Sequence, residues 1–431
     1  MFQNSGLSLD QAPPISVVLR FFLGGSLWGV VAGLWLMLHG EEALDPAAPA
    51  ALILTHLLTL GVMLSFMLGA LFQMLPVLAG VSFRQPTLMA IRTQWPLYFG
   101  IVALIEAFST AQKALYLLAL LFLGAGLLPV ASRMLARLYH LRNHSPSSRG
   151  MGFALYNLLL LFFVGAWLAL LVGGWVSRGD LLALRQLHLG LGLFGWIGLL
   201  IVSVSFQVIE MFYVTPPYPK FWARRLPLGI TGLLTLELVA ALNFPSLLPW
   251  IESLVLLLLL IHGLLTLRRL SQRQRPLADA TVWFWRTGMV SLVLAALLIV
   301  TGHLMPLPRP FQDLSYVLYA SFALSVVFAM AYKIVPFLTW FHLNAQGYFT
   351  APMMHEVIHP RYAMRHLAIH LTTLFTAIVA AFITPELWRV TGVLLALEFS
   401  WIALAIYKAW HLYLHVQATE ERFDFGGMEA K

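Results

Sequence analysis

Residues 56–80 read HLLTLGVMLSFMLGALFQMLPVLAG. Apart from His56, Thr59, Ser65 and Gln73, the run is apolar, and it is long enough to cross ~30 Å of hydrocarbon at a rise of ~1.5 Å per residue. Two other stretches resemble it: HLGLGLFGWIGLLIVSVSFQVIEMFY at 188–213 and LYASFALSVVFAMAYKIVPFLTW at 318–340. Each closes with an aromatic residue, then Gln or Lys, two apolar residues, and Pro or Glu. Phe72-Gln73 leads to Pro76, Phe206-Gln207 to Glu210, and Tyr332-Lys333 to Pro336, so the aromatic positions are 134 and 126 residues apart. A repeat of that period holds about four spans, and three repeats make twelve.

Apolar runs lie near 16–39, 51–80, 95–110, 114–132, 151–176, 182–214, 226–243, 249–267, 281–303, 314–341, 366–384 and 388–410. This predicts an all-α membrane fold of twelve transmembrane helices in a pseudo-threefold array of four-helix repeats (about 1–150, 151–280 and 281–431), forming a single polytopic domain. Composition agrees: of 431 residues 60% are hydrophobic and 10% charged, with mean hydropathy +0.84, whereas a soluble domain carries about 25% charged residues. There is no Cys, which excludes disulfides, thiolate metal clusters, covalent c-type haem and a cysteine nucleophile. The net charge of +8 is taken up by orientation, not by nucleic acid. The loops after even-numbered spans hold fifteen Lys and Arg, from Arg84 to Arg365, and the others five, with Glu41, Glu42 and Asp45 among them. This bias predicts a bacterial inner-membrane protein with both termini cytoplasmic. Arg20 lies at the head of an apolar run without a small-residue cleavage pattern, which reads as a retained first span.

Spans two, six and ten are the three repeat members, and here the chain resembles subunit I of the haem-copper oxidases. Thr55-His56, Met63, Phe66, Met67 and Leu75-Pro76 are similar to that family's span two, whose His ligates the low-spin haem. Ser315-Tyr316-Val317-Leu318 through Tyr332-Lys333-Ile334-Val335-Pro336 is similar to its span ten. The resemblance implies the twelve-span fold, a haem b or copper cofactor, and a respiratory partner or quinone. Asp313 and Ser315 stand where the family has its span-ten histidines, span seven lacks the family's paired histidines, and His188 matches the family's span-six copper ligand only loosely. These departures argue against ordinary oxygen or nitric-oxide reduction. The twelve-span NnrS-type proteins are a looser comparison, and their double-His signatures are not present.

Ionisable groups inside a bilayer are costly and are functional candidates by default. His56, His188 and His303 lie toward the outer side, with Glu106 and Glu237, and imidazole suits iron, copper or zinc. His56 and His188 are the candidate cofactor ligands, and His303 joins them as a candidate metal ligand. Met63, Met67 and Met74 continue the face of His56 at helical spacing, a pattern that core packing explains better than a copper path. Gly190, Gly192, Gly195 and Gly198 follow His188 and suit close helix packing. Gln73, Gln207, Glu210 and Lys333 form an inner polar set, with Lys333 expected to pair with Glu210, and they suit a proton path, a quinone headgroup or an interhelical hydrogen-bond layer. His355-Glu356-Val357-Ile358-His359 matches HExxH in letters, but Pro360 cuts off the long helix that a zinc protease needs. His366 and His370 repeat the i, i+4 spacing beside it. The reading is a haem- or copper-binding membrane protein in respiratory electron transfer or in nitric oxide or oxygen handling. The alternative is a cofactor-free transporter of small solutes or metals, or a respiratory assembly factor.

Overall fold

In hydrocarbon every backbone N–H and C=O must be satisfied within the protein, and for separate apolar runs the helix is the solution. The computed structural model describes residues 11–275, 277–419 and 421–422. Among them are twelve helices long and apolar enough to span a membrane: α1 Ile15–Leu44, α2 Pro49–Ala79, α3 Pro86–Thr110, α4 Lys113–Tyr139, α5 Pro146–Val172, α6 Leu181–Tyr213, α7 Lys220–Asn243, α8 Pro245–Ser271, α9 Ala280–Leu304, α10 Arg309–Ala345, α11 Pro360–Phe382 and α12 Leu387–Ala418. No strand is present among the described residues.

Helices adjacent in sequence mostly pack side by side, and α1 closes against α12. Small residues make that closure possible. A Cβ on Gly33 would collide with the backbone of Ala396, and one on Gly392 with the backbone of Met37, so the helices approach as small-residue membrane interfaces do. The helices inside this surround are α2, α6 and α10, which carry the three similar stretches of sequence. The most apolar windows of α2, α6 and α10 are 61%, 78% and 78% buried, against 56% for α12 and 44% or less elsewhere. The Tyr319 hydroxyl of α10 donates to the Leu193 carbonyl of α6 at 2.5 Å, and α10 also touches the upper part of α2.

Two of these central helices are not uniformly α. α2 widens to a π-helix at Leu57–Met63 and α6 at Leu191–Gly198. The segments begin 134 residues apart, the same offset as Phe72 and Phe206. No such turn interrupts α10, so this feature belongs to α2 and α6. Pro76 and Pro336 lie inside α2 and α10, and Gly80 ends α2 in the left-handed conformation at φ 65°, which costs glycine little.

The chain ends, 1–10 and 423–431, lie outside the described residues, so orientation rests on the loops. Because the chain has no native Cys, single cysteines report it cleanly. In right-side-out membrane vesicles Ser177→Cys, between α5 and α6, is expected to react with an impermeant maleimide. Asn143→Cys, between α4 and α5, reacts only after permeabilisation, and the reverse pattern contradicts the charge-based orientation.

Candidate functional site

His56 and His188 each lie about two turns into their helix, immediately before or close to its π segment. A π turn shifts the following side chains relative to an α-helix and concentrates at functional positions. Here the two imidazoles, from α2 and α6, approach with ring centres 6.3 Å apart and planes 25° from parallel. His56 Nδ1 lies 2.8 Å from the Leu52 carbonyl oxygen. A carbonyl can only accept, so Nδ1 carries the proton and Nε2 keeps its lone pair. Phe108 of α3 packs against the same ring at 5.1 Å. His188 Nδ1 is buried without a hydrogen-bond partner, and the ring lies over Gly165 of α5, where a Cβ would come within 2.8 Å of it. Two imidazoles on opposite sides of one ion have ring centres about 6 Å apart, two bonds of about 2 Å plus the two ring radii, and about 5 Å apart at a tetrahedral angle. The observed separation of 6.3 Å is close to that of two imidazoles on opposite sides of one ion, and each ring has a nitrogen without a protein partner.

His303 is not the third member of this set. Its Nδ1 meets Ser253 Oγ at 2.9 Å and its Nε2 lies 3.7 Å from Glu252 Oε2, which accepts from Gln186 at 2.8 Å. Among the described residues no group of three or more His, Asp or Glu side chains is arranged to hold a metal ion. Glu237 is fully buried, both carboxylate oxygens lack a partner, and a Cβ at Gly190 would lie 2.9 Å from one of them. Glu106 is exposed on α3. Asp313 accepts from Arg309 Nε at 2.6 Å, and Ser315 Oγ donates to the Gln312 carbonyl, so both positions are engaged in the start of α10.

The methionine stripe does not extend from His56. Met63, Met67 and Met74 are buried core residues, but the π segment that follows His56 and ends at Met63 winds less per residue than an α-helix, which breaks the line. The glycines of α6 mostly serve close packing: Gly195 lies against Asn157 and Leu234, and Gly198 against Tyr319.

The inner polar set is divided among different partners. Lys333 does not pair with Glu210; its ammonium lies 2.6 Å from Asp279 Oδ2 at the start of α9. Glu210 instead accepts from the Tyr218 N–H at 3.0 Å. Asp279 is the better partner because it caps α9 next to Lys333, accepts from Thr281 Oγ1 and Val282 N–H, and connects through Thr281 to the Tyr213 hydroxyl of α6. Partial burial works against the Asp279 charge, but Lys333 and these donors outweigh it and hold the carboxyl below the usual carboxylate range. Gln73 is buried with Oε1 unpartnered, and Gln207 lines an inner cavity. HEVIH contributes only a one-turn helix, Met354–Val357; Glu356 accepts from the Met353 N–H, and His359 caps α11.

A polar cluster that the sequence reading missed lies between α10, α11 and α12. α11 begins at Pro360, ahead of the apolar run at 366–384, so His366 and His370 lie well inside a span and are buried. His370 Nε2 meets Ser325 Oγ at 2.8 Å and Nδ1 meets Glu398 Oε2 at 2.7 Å, while His366 Nδ1 meets the Tyr332 hydroxyl at 2.9 Å. Ser, His and Glu are thus connected in the order of a nucleophile, base and orienting carboxylate. Ser325 is fully buried and Phe284 and Phe328 pack on the histidines. The arrangement is a hydrogen-bonded core that locks three helices. Glu398, an acid inside an apolar run, was the available signal.

Two outcomes follow. Glu398→Ala leaves His370 Nδ1 without its acceptor and is expected to destabilise the purified protein by about 3 kcal/mol, measured by thermal unfolding in detergent, with Glu398→Leu/His370→Leu recovering part of the loss. Asp279 has a depressed pKa, so its contribution is complete at neutral pH and fades only as the pH falls below about 4. Asp279→Asn should therefore lower the Tm at pH 7 and leave it near wild type at strongly acid pH.

Compared with protein-family models and with curated proteins, the chain matches none.

Proposed function

We propose that this multi-pass membrane protein resides in a bacterial inner membrane, holds one metal centre between His56 and His188, either haem iron or copper, and works in respiratory electron transfer or in handling nitric oxide or oxygen. The observation that carries the reading is the approach of two imidazoles, from two central helices, to a ring separation of 6.3 Å, with a nitrogen left free on each ring. Such an ion supplies one-electron chemistry and a binding position for a small gas. The chain's own part is orientation. Leu52 fixes the His56 tautomer by accepting from Nδ1, as second-shell acceptors do for ligating histidines. Gly165 leaves room for the His188 ring, and Phe108 keeps water from one side of His56. The resemblance of span two to the low-spin haem helix of oxidase subunit I supports the same residue. The separate engagement of Asp313 and Ser315 agrees with a reaction unlike that of the ordinary oxidases.

Protein purified from haem- and copper-replete cells is expected to contain about one metal ion per chain by elemental analysis, with a Soret band if the ion is haem iron. His56→Ala and His188→Ala should each lose the metal or shift the spectrum while keeping the wild-type elution profile. Wild-type protein that is colourless and metal-free, or variants with unchanged content and spectrum, would contradict the proposal.

A further inference from the structure

Between the start of α5, the end of α6 and the start of α7 lies a cavity of about 600 Å³. It opens at the end of the molecule where the loop cations concentrate. Its wall includes Arg149, Lys220 and Arg224, with Ser147 and Gln207 as further polar groups and Glu210 as its one carboxylate. Among the described residues none of the three cations forms an ion pair, and the Glu210 carboxylate already accepts from the Tyr218 N–H. α7 starts at Lys220 with no acidic residue in its first turn and no side-chain cap, so its positive end adds to the field. Three unpaired cations around a pocket of ligand size make a site for an anion, and basic pockets between helices at the cytoplasmic surface suit phosphate-bearing headgroups.

We infer that this cavity binds a phosphate group, carried either by an anionic phospholipid of the inner leaflet or by a free phosphate. The site is separate from His56 and His188 and does not depend on a metal there. Arg149 and Arg224 supply forked donors that match phosphate oxygens, and Lys220 supplies a point charge. The neutral headgroup of a quinone would leave all three cations unanswered.

The test uses full-length purified protein in detergent, titrated with short-chain phosphatidylglycerol, short-chain phosphatidylcholine or inorganic phosphate, with binding read by native mass spectrometry and thermal shift. Saturable binding of phosphatidylglycerol but not phosphatidylcholine is expected. Arg149→Gln/Arg224→Gln should weaken it roughly thirtyfold, at about a factor of five per cation removed. Arg133→Gln/Arg137→Gln removes the same charge from exposed positions on α4 outside the cavity and should leave binding within about twofold. Saturable binding of inorganic phosphate with no preference between the lipids assigns the site to a free phosphate and keeps the inference. Binding of neither phosphatidylglycerol nor inorganic phosphate, or an equal effect of both paired variants, overturns it. Lys220→Gln alone, at an exposed position, replaces the double variant if that one fails to fold.

Discussion

A polar group carried below the headgroups finds its partner inside the protein or exacts several kcal/mol, and this constraint organises the whole molecule. It makes every apolar run a helix. It also explains why polar side chains gather where helices meet. Asn157 reaches Thr231, Ser205 reaches His262, Ser291 reaches Ser321, and His370 reaches both Ser325 and Glu398. Glu237, with neither carboxylate oxygen partnered, departs from this pattern, and so do His56 and His188. They lie between two of the three innermost helices, they approach each other, and each ring retains a nitrogen that no protein group engages.

The π segments of α2 and α6 fit this account. A widened turn disturbs the helix ladder and persists when something offsets the disturbance. In α6 part of the offset is visible, because the Leu193 carbonyl within the π segment accepts the Tyr319 hydroxyl of α10. In both helices the segment also sets the angle at which the following residues meet their neighbours, and the imidazoles that precede the two segments lie with ring centres 6.3 Å apart. Sequence similarity between residues 56–80 and 188–213 is thus matched by a local backbone feature at the same offset.

The architecture was legible because apolar length is a direct signal: the twelve spans need only hydropathy, and the loop charges alternate with them. The special importance of spans two, six and ten also came through, because their recurring aromatic and polar residues lie on the most buried helices. Partnerships across helices were less legible. Lys333 was expected to find Glu210, yet Asp279 is closer and better supported, a fact that depends on where α9 begins. His366 and His370 fell at the edge of the apolar run at 366–384 because two histidines and an arginine lower the local hydropathy, whereas the helix itself starts at Pro360 and holds both inside it. The bend of the His56 face away from the methionines was hidden for a different reason: helical-wheel arithmetic assumes a uniform turn, which a π segment violates.

An electron cryomicroscopy map of the protein in nanodiscs, at a resolution that shows side chains, tests the central claim most directly. The account predicts density between the rings of His56 and His188, with ring centres near the 6.3 Å seen here and coordinating nitrogens directed at that density. A map in which the two rings point away from each other, or in which each has both nitrogens bonded to protein groups and nothing lies between them, would contradict it.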